Sequence, residues 1–169
     1  MKVSRHLALP LLAVAIGVGV YLSLDLPGPP KPVPQVAYTL LDGNTASTAQ
    51  WPGRVMLLNF WATTCAVCVQ EMPAIVATHE RFKSRGFDTL AVAMQYDPPA
   101  SVAYYAQTRR LPFGVAIDNT GQIAERFGDI RGTPTTLLVD KRGRVVRRFV
   151  GQPDFAELHG LIERLIAET

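Results

Sequence analysis

Two cysteines separated by two residues are the part of this sequence best suited to chemistry. Cys65 and Cys68 are the only cysteines in the chain, and they follow an apolar segment at residues 55–60. That segment is typical of a buried strand, and we expect a helix to begin at Cys65. A thiol at a helix N-terminus lies beside unpaired backbone N–H groups, which favour the thiolate. The spacing therefore predicts Cys65 as the attacking thiol and Cys68, one turn further along, as the thiol that resolves a mixed disulfide.

Other uses of a cysteine pair fit this sequence less well. A structural zinc site needs four ligands, and the histidines that could complete one, His79 and His159, lack the paired spacing of such sites. Covalent haem attachment needs a histidine directly after the second cysteine, where this chain has Val69. A purely structural disulfide remains an alternative, although a bridge that closes so small a loop stabilises a fold little. A copper-binding module that uses both cysteines, with Met72 nearby, is a further alternative.

Two further positions could take part in thiol chemistry. Glu71 follows Cys68 by three residues and therefore lies on the same face of the predicted helix. It is either a solvated surface glutamate or a partly buried acid with a raised pKa that holds a proton or passes one to Cys68. Pro134 follows Thr133 and precedes a predicted strand at residues 135–139, where proline is tolerated. Local sequence alone favours a trans peptide bond there, because cis X-Pro bonds are the minority.

Strands and helices alternate along the rest of the chain before a final hairpin. Strands are predicted at residues 36–40, 55–60, 87–94, 113–117, 135–139 and 144–150, and helices at 65–85, 98–110, 122–127 and 154–167. A turn at residues 41–44 leads either into a return strand or into a short helix at 45–49. Gly86 is expected to end the first helix, and Pro73 to kink it. The alternation predicts an α/β fold whose mixed sheet has parallel strands, an antiparallel edge hairpin and helices on both faces.

The start of the chain predicts a membrane attachment. Lys2 and Arg5 precede an uncharged, mostly apolar stretch at residues 6–24, which is nearly long enough to span a bilayer as a helix. Positive charge before the stretch predicts a cytoplasmic N-terminus and a domain outside the cytoplasm. We favour an uncleaved anchor at residues 1–26 over a cleaved signal peptide, because the apolar core is long and no good cleavage site follows it.

A proline-rich segment separates this anchor from the rest of the chain. Residues 27–34 contain five prolines and predict a stiff, extended linker to a domain at residues 35–169. That domain carries 14 basic and 13 acidic residues, a formal net charge of only +1. Binding to nucleic acid needs a basic face, and the one candidate, five basic residues at 141–148, straddles a predicted hairpin and is typical of a solvated turn. We therefore expect no nucleic-acid partner.

Three segments together resemble the thioredoxin superfamily. They are residues 60–68 (Phe-Trp-Ala-Thr-Thr-Cys-Ala-Val-Cys), residues 71–73 (Glu-Met-Pro) and residues 132–136 (Gly-Thr-Pro-Thr-Thr). The chain is most similar to the membrane-anchored, extracytoplasmic TlpA/ResA-like thiol-disulfide reductases, from about residue 35 to the C-terminus. The resemblance implies a thioredoxin-like fold, with a central mixed β-sheet flanked by helices, an N-terminal hairpin extension and a helix–strand insertion at residues 98–117.

The resemblance also implies roles for individual residues. The two cysteines would keep the roles of nucleophile and resolving thiol, and Glu71 would take part in proton transfer at the active site. Pro134 would be a cis-proline that faces the disulfide, and the substrate would bind beside Trp61, Thr133 and Pro134. The substrate backbone would pair there as a short added strand.

These features predict a thiol-disulfide oxidoreductase that is anchored in the inner membrane and acts on disulfides of periplasmic proteins. We expect a reductase, for example in cytochrome c maturation, with a membrane electron donor that re-reduces it. No cofactor or metal is implied, because the cysteines are the redox centre. Many relatives have proline between the cysteines where this chain has Ala66 and Val67, which leaves the direction of electron flow open. A peroxidase of the same fold is an alternative. Such an enzyme needs a threonine and an arginine around its cysteine to activate peroxide, and that pattern is not evident in this sequence.

Overall fold

The computed structural model describes residues 30–168 of the 169-residue chain. The predicted anchor and the start of the predicted linker lie outside these residues. The strands are β1 (Lys31–Pro32), β2 (Ala37–Thr39), β3 (Thr45–Ser47), β4 (Val55–Trp61), β5 (Phe87–Ala93), β6 (Gly114–Ile117), β7 (Thr135–Val139) and β8 (Arg144–Val150). The helices are α1 (Ala66–Phe82), α2 (Pro99–Arg109), α3 (Gln122–Arg126) and α4 (Phe155–Ala167). Within residues 30–168, no helix combines the length and the apolar character needed to cross a membrane.

Six of the strands form one mixed sheet, in the order β1-β8-β7-β4-β5-β6. β4, β5 and β6 run parallel, whereas β7 is antiparallel to β4 and β8 is antiparallel to β7. Parallel neighbours need crossover connections, which α1 and α2 supply, while the antiparallel pair β7–β8 needs only a tight turn. The arrangement confirms the predicted α/β fold with a central mixed sheet.

β4 lies in the interior of the sheet and is buried at all seven positions. A strand covered on both faces is apolar along its length, because neither set of alternating side chains reaches water. Leu57 and Trp61 pack on one face with residues of α1, α2 and α4, and Leu58 and Phe60 pack on the other with residues of α3. The two helical layers thus fix the end of β4, from which the chain turns toward the dithiol.

α1 begins directly after Cys65, which is its N-cap residue. It continues through Pro73, and a 3-10 turn at Lys83–Arg85 then leads to Gly86. Gly86 has a φ of 82°, a left-handed conformation that glycine adopts without strain. The predicted end of the helix at Gly86 is therefore confirmed, whereas the kink at Pro73 stays a prediction.

The beginning of the domain differs from the prediction. β1 lies within the predicted linker, yet Lys31 and Pro32 pair antiparallel with β8. The backbone N–H of Val33 donates to the carbonyl of Gly143 at 2.8 Å. Residues 31–33 therefore belong to the edge of the sheet, and the prediction that they are part of a linker without sheet structure is wrong. Proline is tolerated in this strand because β1 is at the sheet edge, where part of the backbone has no strand to pair with.

Both extensions that the family resemblance implied are present. β2 and β3 form a separate hairpin, and a 3-10 turn at Thr48–Gln50 follows, so both alternatives for residues 45–49 occur in succession. A bridge between Leu40 and Ala116 attaches this hairpin to β6. The insertion consists of α2 and β6, and β6 extends the sheet beside β5.

Candidate active site

The turn between β4 and α1 is held by Asp97. The Thr63 backbone N–H donates to Asp97 Oδ2 at 2.6 Å, and the Thr63 hydroxyl donates to Asp97 Oδ1 at 2.5 Å. Asp97 is buried, and these two bonds satisfy both of its carboxyl oxygens. It belongs to the loop after β5, which pairs with β4, so it reaches the turn two residues before Cys65. Asp97 was not among the residues predicted from the sequence, although an acidic residue shortly after a predicted buried strand indicates a candidate position at the end of the sheet.

Cys65 and Cys68 form a disulfide in which the two residues differ in exposure. Their Cα atoms are 5.2 Å apart. Cys65 is half-buried, whereas Cys68 is fully buried in the first turn of α1. The backbone N–H of Cys68 donates to Cys65 Sγ at 3.2 Å, so one of the unpaired donors of the helix N-terminus points at this sulfur. A substrate can therefore reach Cys65 but not Cys68.

Glu71 is buried one turn after Cys68, with only 1% of its surface exposed. Asn59 Nδ2 donates to Glu71 Oε1 at 3.2 Å, and Oε2 makes no hydrogen bond within residues 30–168. Burial raises the pKa of Glu71 from 4.5 to about 7, because water no longer solvates the carboxylate, and the bond from Asn59 lowers it by less. Of the two alternatives that the sequence left open, the structure supports the buried acid. Its role in proton transfer stays a prediction.

Asn59 connects Glu71 to the strand that follows Pro134. Its Nδ2 also donates to Thr136 Oγ1 at 3.0 Å, and both residues are fully buried. Asn59 on β4 and Thr136 on β7 are direct register partners, so their side chains leave the same face of the sheet. One amide thus links the helix of the dithiol to β7. Neither residue was predicted from the sequence to belong to the site, although an amide inside an otherwise apolar strand indicates a buried polar contact.

The Thr133–Pro134 peptide bond is cis. This confirms the expectation from the family resemblance, whereas the trans bond favoured by local sequence is wrong. The Pro134 carbonyl accepts a hydrogen bond from Gly151 N–H at 2.8 Å, which joins this loop to the end of β8. β7 begins at Thr135, which pairs with Phe60 near the end of β4. Pro134 therefore lies at the same edge of the sheet as the turn that leads to the dithiol.

Trp61 lies in the core rather than at the surface of the site. Its side chain is fully buried, and its ring centroid is 5.1 Å from that of Tyr105 on α2. A side chain without exposed surface cannot contact a docked substrate, so its prediction as a substrate-binding residue does not agree with this structure. Trp61 packs in the same apolar cluster as Cys68 and supports the dithiol from the core.

Comparisons with known proteins agree with this site. The family model described as Redoxin matches residues 29–162. The thiol-disulfide oxidoreductase ResA of Bacillus thuringiensis subsp. konkukian is 29% identical over 135 residues, which cover 80% of this chain and 77% of that protein. The ResA of Geobacillus kaustophilus is 32% identical over 118 residues, which cover 70% of this chain and 67% of that protein. The solution structure of a predicted thioredoxin from Neisseria meningitidis has a TM-score of 0.75 and 37% identity, and the match covers 81% of this chain and 91% of that one.

The Redoxin match extends over most of the chain and includes both cysteines, Glu71 and Pro134. The disulfide at the start of α1 and the cis-proline at the same edge of the sheet are the groups that the resemblance in the sequence implied. On these grounds the chain belongs to the Redoxin family and is a thioredoxin-fold thiol-disulfide oxidoreductase of the TlpA/ResA-like branch.

Proposed function

We propose that this protein reduces disulfides in extracytoplasmic proteins while it is tethered to the cytoplasmic membrane. The observation that supports the proposal is the unequal exposure of the two cysteines, because Cys65 is half-buried and Cys68 is fully buried. An accessible sulfur can exchange with a sulfur of another protein. A buried sulfur is restricted to reaction with its partner in the same chain, which is the role of a resolving thiol.

The reaction transfers two electrons from the dithiol to the substrate. The Cys65 thiolate attacks one sulfur of the substrate disulfide, a mixed S–S bond forms, and the other substrate sulfur leaves as a thiolate that takes up a proton from water. Cys68 then loses its proton and attacks Cys65 Sγ, which forms the Cys65–Cys68 disulfide and breaks the mixed S–S bond. The second substrate sulfur leaves as a thiolate, which also takes up a proton from water. Glu71, buried one turn beyond Cys68, is the group that we assign to accept the Cys68 proton. The chain ends oxidised, and the substrate disulfide ends as two thiols.

The surroundings of Cys65 favour a reductase over an oxidant. A strong oxidant of this type needs a reduced form whose thiolate is strongly stabilised. Within the described residues, the one hydrogen bond to Cys65 Sγ comes from the backbone of Cys68. Ala66 and Val67 between the cysteines add neither a charge nor a donor side chain. Among residues 30–168, no side chain therefore adds a hydrogen bond to the stabilisation that the helix N-terminus gives the Cys65 thiolate. A dithiol whose thiolate lacks such added stabilisation gives up its electrons more readily than that of a strong oxidant.

A membrane tether is supported by the place where the chain enters the domain. Lys31 of β1 pairs with β8 at the end of the sheet that contains Met56. The dithiol lies at the other end, beyond the paired residues Phe60 and Thr135. An anchor at residues 1–26 would therefore hold the protein by the end opposite to its active site. The dithiol would face away from the bilayer, where periplasmic proteins can reach it.

A second protein must return two electrons after each turnover, since the reaction leaves the chain oxidised. We assign this step to a membrane electron donor, because an anchor would keep both proteins in one bilayer and raise their effective concentration. The similarity to the TlpA/ResA-like branch supports an apocytochrome c disulfide as one substrate, which would place the activity in cytochrome c maturation.

The midpoint potential of the Cys65–Cys68 couple tests the direction of electron flow. The full-length chain in detergent is equilibrated with a series of dithiothreitol redox buffers, and its free thiols are alkylated and counted by mass. We expect a value nearer the roughly −270 mV of thioredoxin than the roughly −120 mV of a strong oxidant. A potential near the latter would reverse the assigned direction.

Trapping and metal titration separate this activity from its alternatives. Cys68→Ser lacks the resolving thiol, so it should accumulate a mixed disulfide with a disulfide-bonded protein, whereas Cys65→Ser should accumulate none. Copper titration of the reduced chain, with Cys65→Ser as the control, tests for a copper-binding module. Tight copper binding by a chain that does not reduce disulfides would contradict the proposed function.

A further inference from the structure

The loop at residues 94–98, between β5 and α2, contacts both halves of the active site through adjacent residues. Asp97 binds Thr63 in the turn before the dithiol. The neighbouring Tyr96 places its hydroxyl 3.2 Å from Thr133 Oγ1, next to the cis-proline. Asp97 is buried and stabilises the turn, whereas Tyr96 is 54% exposed. The hydrogen bond by itself does not explain an aromatic ring in water at this position.

The strand order defines where this ring lies. Tyr96 follows β5 and Thr133 precedes β7, and these two strands flank β4 on either side. A contact between them must cross the end of β4, a distance of two strand spacings or about 10 Å. The Tyr96 side chain therefore lies over the edge of the sheet, between the turn that leads to the dithiol and the loop that ends in Pro134.

Thr133 also offers an unpaired stretch of backbone. Neither its N–H nor its carbonyl makes a hydrogen bond within residues 30–168. The adjacent Pro134 carbonyl is already bonded to Gly151, so the free groups at this point belong to Thr133. An extended segment of another protein can satisfy them by adding a short strand.

Exposed apolar side chains are concentrated around this free backbone. The described part of the chain has five large apolar side chains with high exposure, namely Leu41, Val67, Tyr96, Tyr104 and Val150. Three of them adjoin the site: Val67 lies between the cysteines, Tyr96 contacts Thr133, and Val150 is the register partner of Thr135. We call Val67, Tyr96 and Val150 the apolar rim. All three side chains are aliphatic or aromatic, so the rim matches an apolar rather than a charged segment.

We propose that Tyr96 is a substrate-contact residue that selects protein disulfides with an aliphatic or aromatic side chain next to the reacting cysteine. This inference rests on the proposed function and specifies its substrate class. The ring packs against that neighbouring side chain, while the hydroxyl holds Thr133 so that its backbone can pair with the substrate segment. The partner is thus an extended, apolar segment of a protein that carries a disulfide.

Single-turnover reduction tests this assignment without a second enzyme. Pre-reduced full-length chain in detergent is mixed with increasing concentrations of a disulfide-linked peptide in which leucine flanks the cysteine, and thiols are trapped by acid and alkylation. The same peptide with aspartate in place of leucine, and bis(2-hydroxyethyl) disulfide, serve as the comparison substrates. The variants are Tyr96→Ala and Tyr96→Phe. The control is Tyr104→Ala, because Tyr104 is a 71% exposed tyrosine of α2 that does not belong to the apolar rim.

Tyr96→Ala should raise the half-saturating concentration of the leucine peptide by about tenfold, because an aromatic contact of ordinary strength is lost. This variant should also lose its preference for the leucine peptide over the aspartate peptide to a similar extent. Its rate constant for the leucine peptide should fall by a similar factor relative to its rate constant for bis(2-hydroxyethyl) disulfide. Tyr96→Phe keeps the ring and loses the hydroxyl, so it should retain the leucine preference with a smaller loss of affinity. Tyr104→Ala should match the wild type.

Three results would overturn the assignment. The first is an unchanged leucine preference in Tyr96→Ala. The second is an equal loss of rate on all three disulfides together with a shifted midpoint potential, which indicates a general distortion of the site. The third is a wild-type chain that reduces none of the disulfides, which refutes the proposed function itself and this inference with it.

Discussion

Replacement of Glu71 by glutamine should change how stability depends on pH. Burial raises the pKa of this carboxyl from 4.5 to about 7. Well below pH 4.5 the carboxyl is protonated in both the folded and the unfolded chain and adds no pH dependence. As the pH rises, the unfolded chain loses this proton first, so the wild-type free energy of unfolding falls until the folded carboxyl also titrates near pH 7. The difference between the two pKa values corresponds to a loss of about 3 kcal/mol.

Glu71→Gln lacks this titration and keeps an oxygen that can accept the hydrogen bond from Asn59. The free energy of unfolding of the variant, relative to the wild type, should therefore rise by about 3 kcal/mol between about pH 4 and about pH 8. Urea unfolding of the oxidised full-length chain in detergent measures both proteins, and the titration of other groups cancels in the difference. Glu80→Gln is the matched control, because Glu80 is exposed on the same helix. A difference that stays constant over this range would refute the reasoning, since it would mean that burial leaves Glu71 unperturbed.

Three further predictions concern the groups that hold the site in place. Thr136→Val removes one acceptor of the Asn59 amide and should lower the free energy of unfolding, measured in urea titrations, by about 1 kcal/mol. An unchanged free energy of unfolding would mean that this hydrogen bond does not stabilise the fold. Asp97→Ala removes both acceptors of Thr63, so we expect the free energy of unfolding to fall by about 2 kcal/mol and the Thr63 amide to exchange its hydrogen faster. An exchange rate equal to that of the wild type would contradict the role of Asp97. Leu158→Ala opens a cavity where α4 packs on the sheet and should cost about 3 kcal/mol, whereas a loss below about 1 kcal/mol would mean that α4 readjusts to fill the space.

The features of the site that lie within one short segment could be predicted from the sequence. An apolar run followed by two cysteines predicts a strand and then a helix, and β4 does end at Trp61 with α1 beginning after Cys65. A glycine after a helical segment predicts its end, which Gly86 confirms. In each case the residues that determine the conformation are neighbours in the chain, so no knowledge of distant contacts is needed.

The features that the sequence did not predict depend on partners far away in the chain. β1 lies in a proline-rich segment that has the composition of a linker, and only its pairing with β8 makes it a strand. Asn59 lies in an apolar run with no local partner, and it finds the acceptor Thr136 77 residues later. Asp97 binds a turn 34 residues before it. Local periodicity and propensity carry no information about such contacts, which only the order of strands in the sheet defines.

That strand order explains why the distant groups meet at the dithiol. β5 is parallel to β4, so the loop after β5, which contains Tyr96 and Asp97, lies at the edge of the sheet where β4 ends. β7 is antiparallel to β4, so the residues before β7, which include Pro134, lie at this same edge. The position of the site thus depends on β4 remaining buried between these two strands. Ala66 and Val67, by contrast, are exposed on α1, so they can change the redox potential of the dithiol without disturbing the core that assembles it.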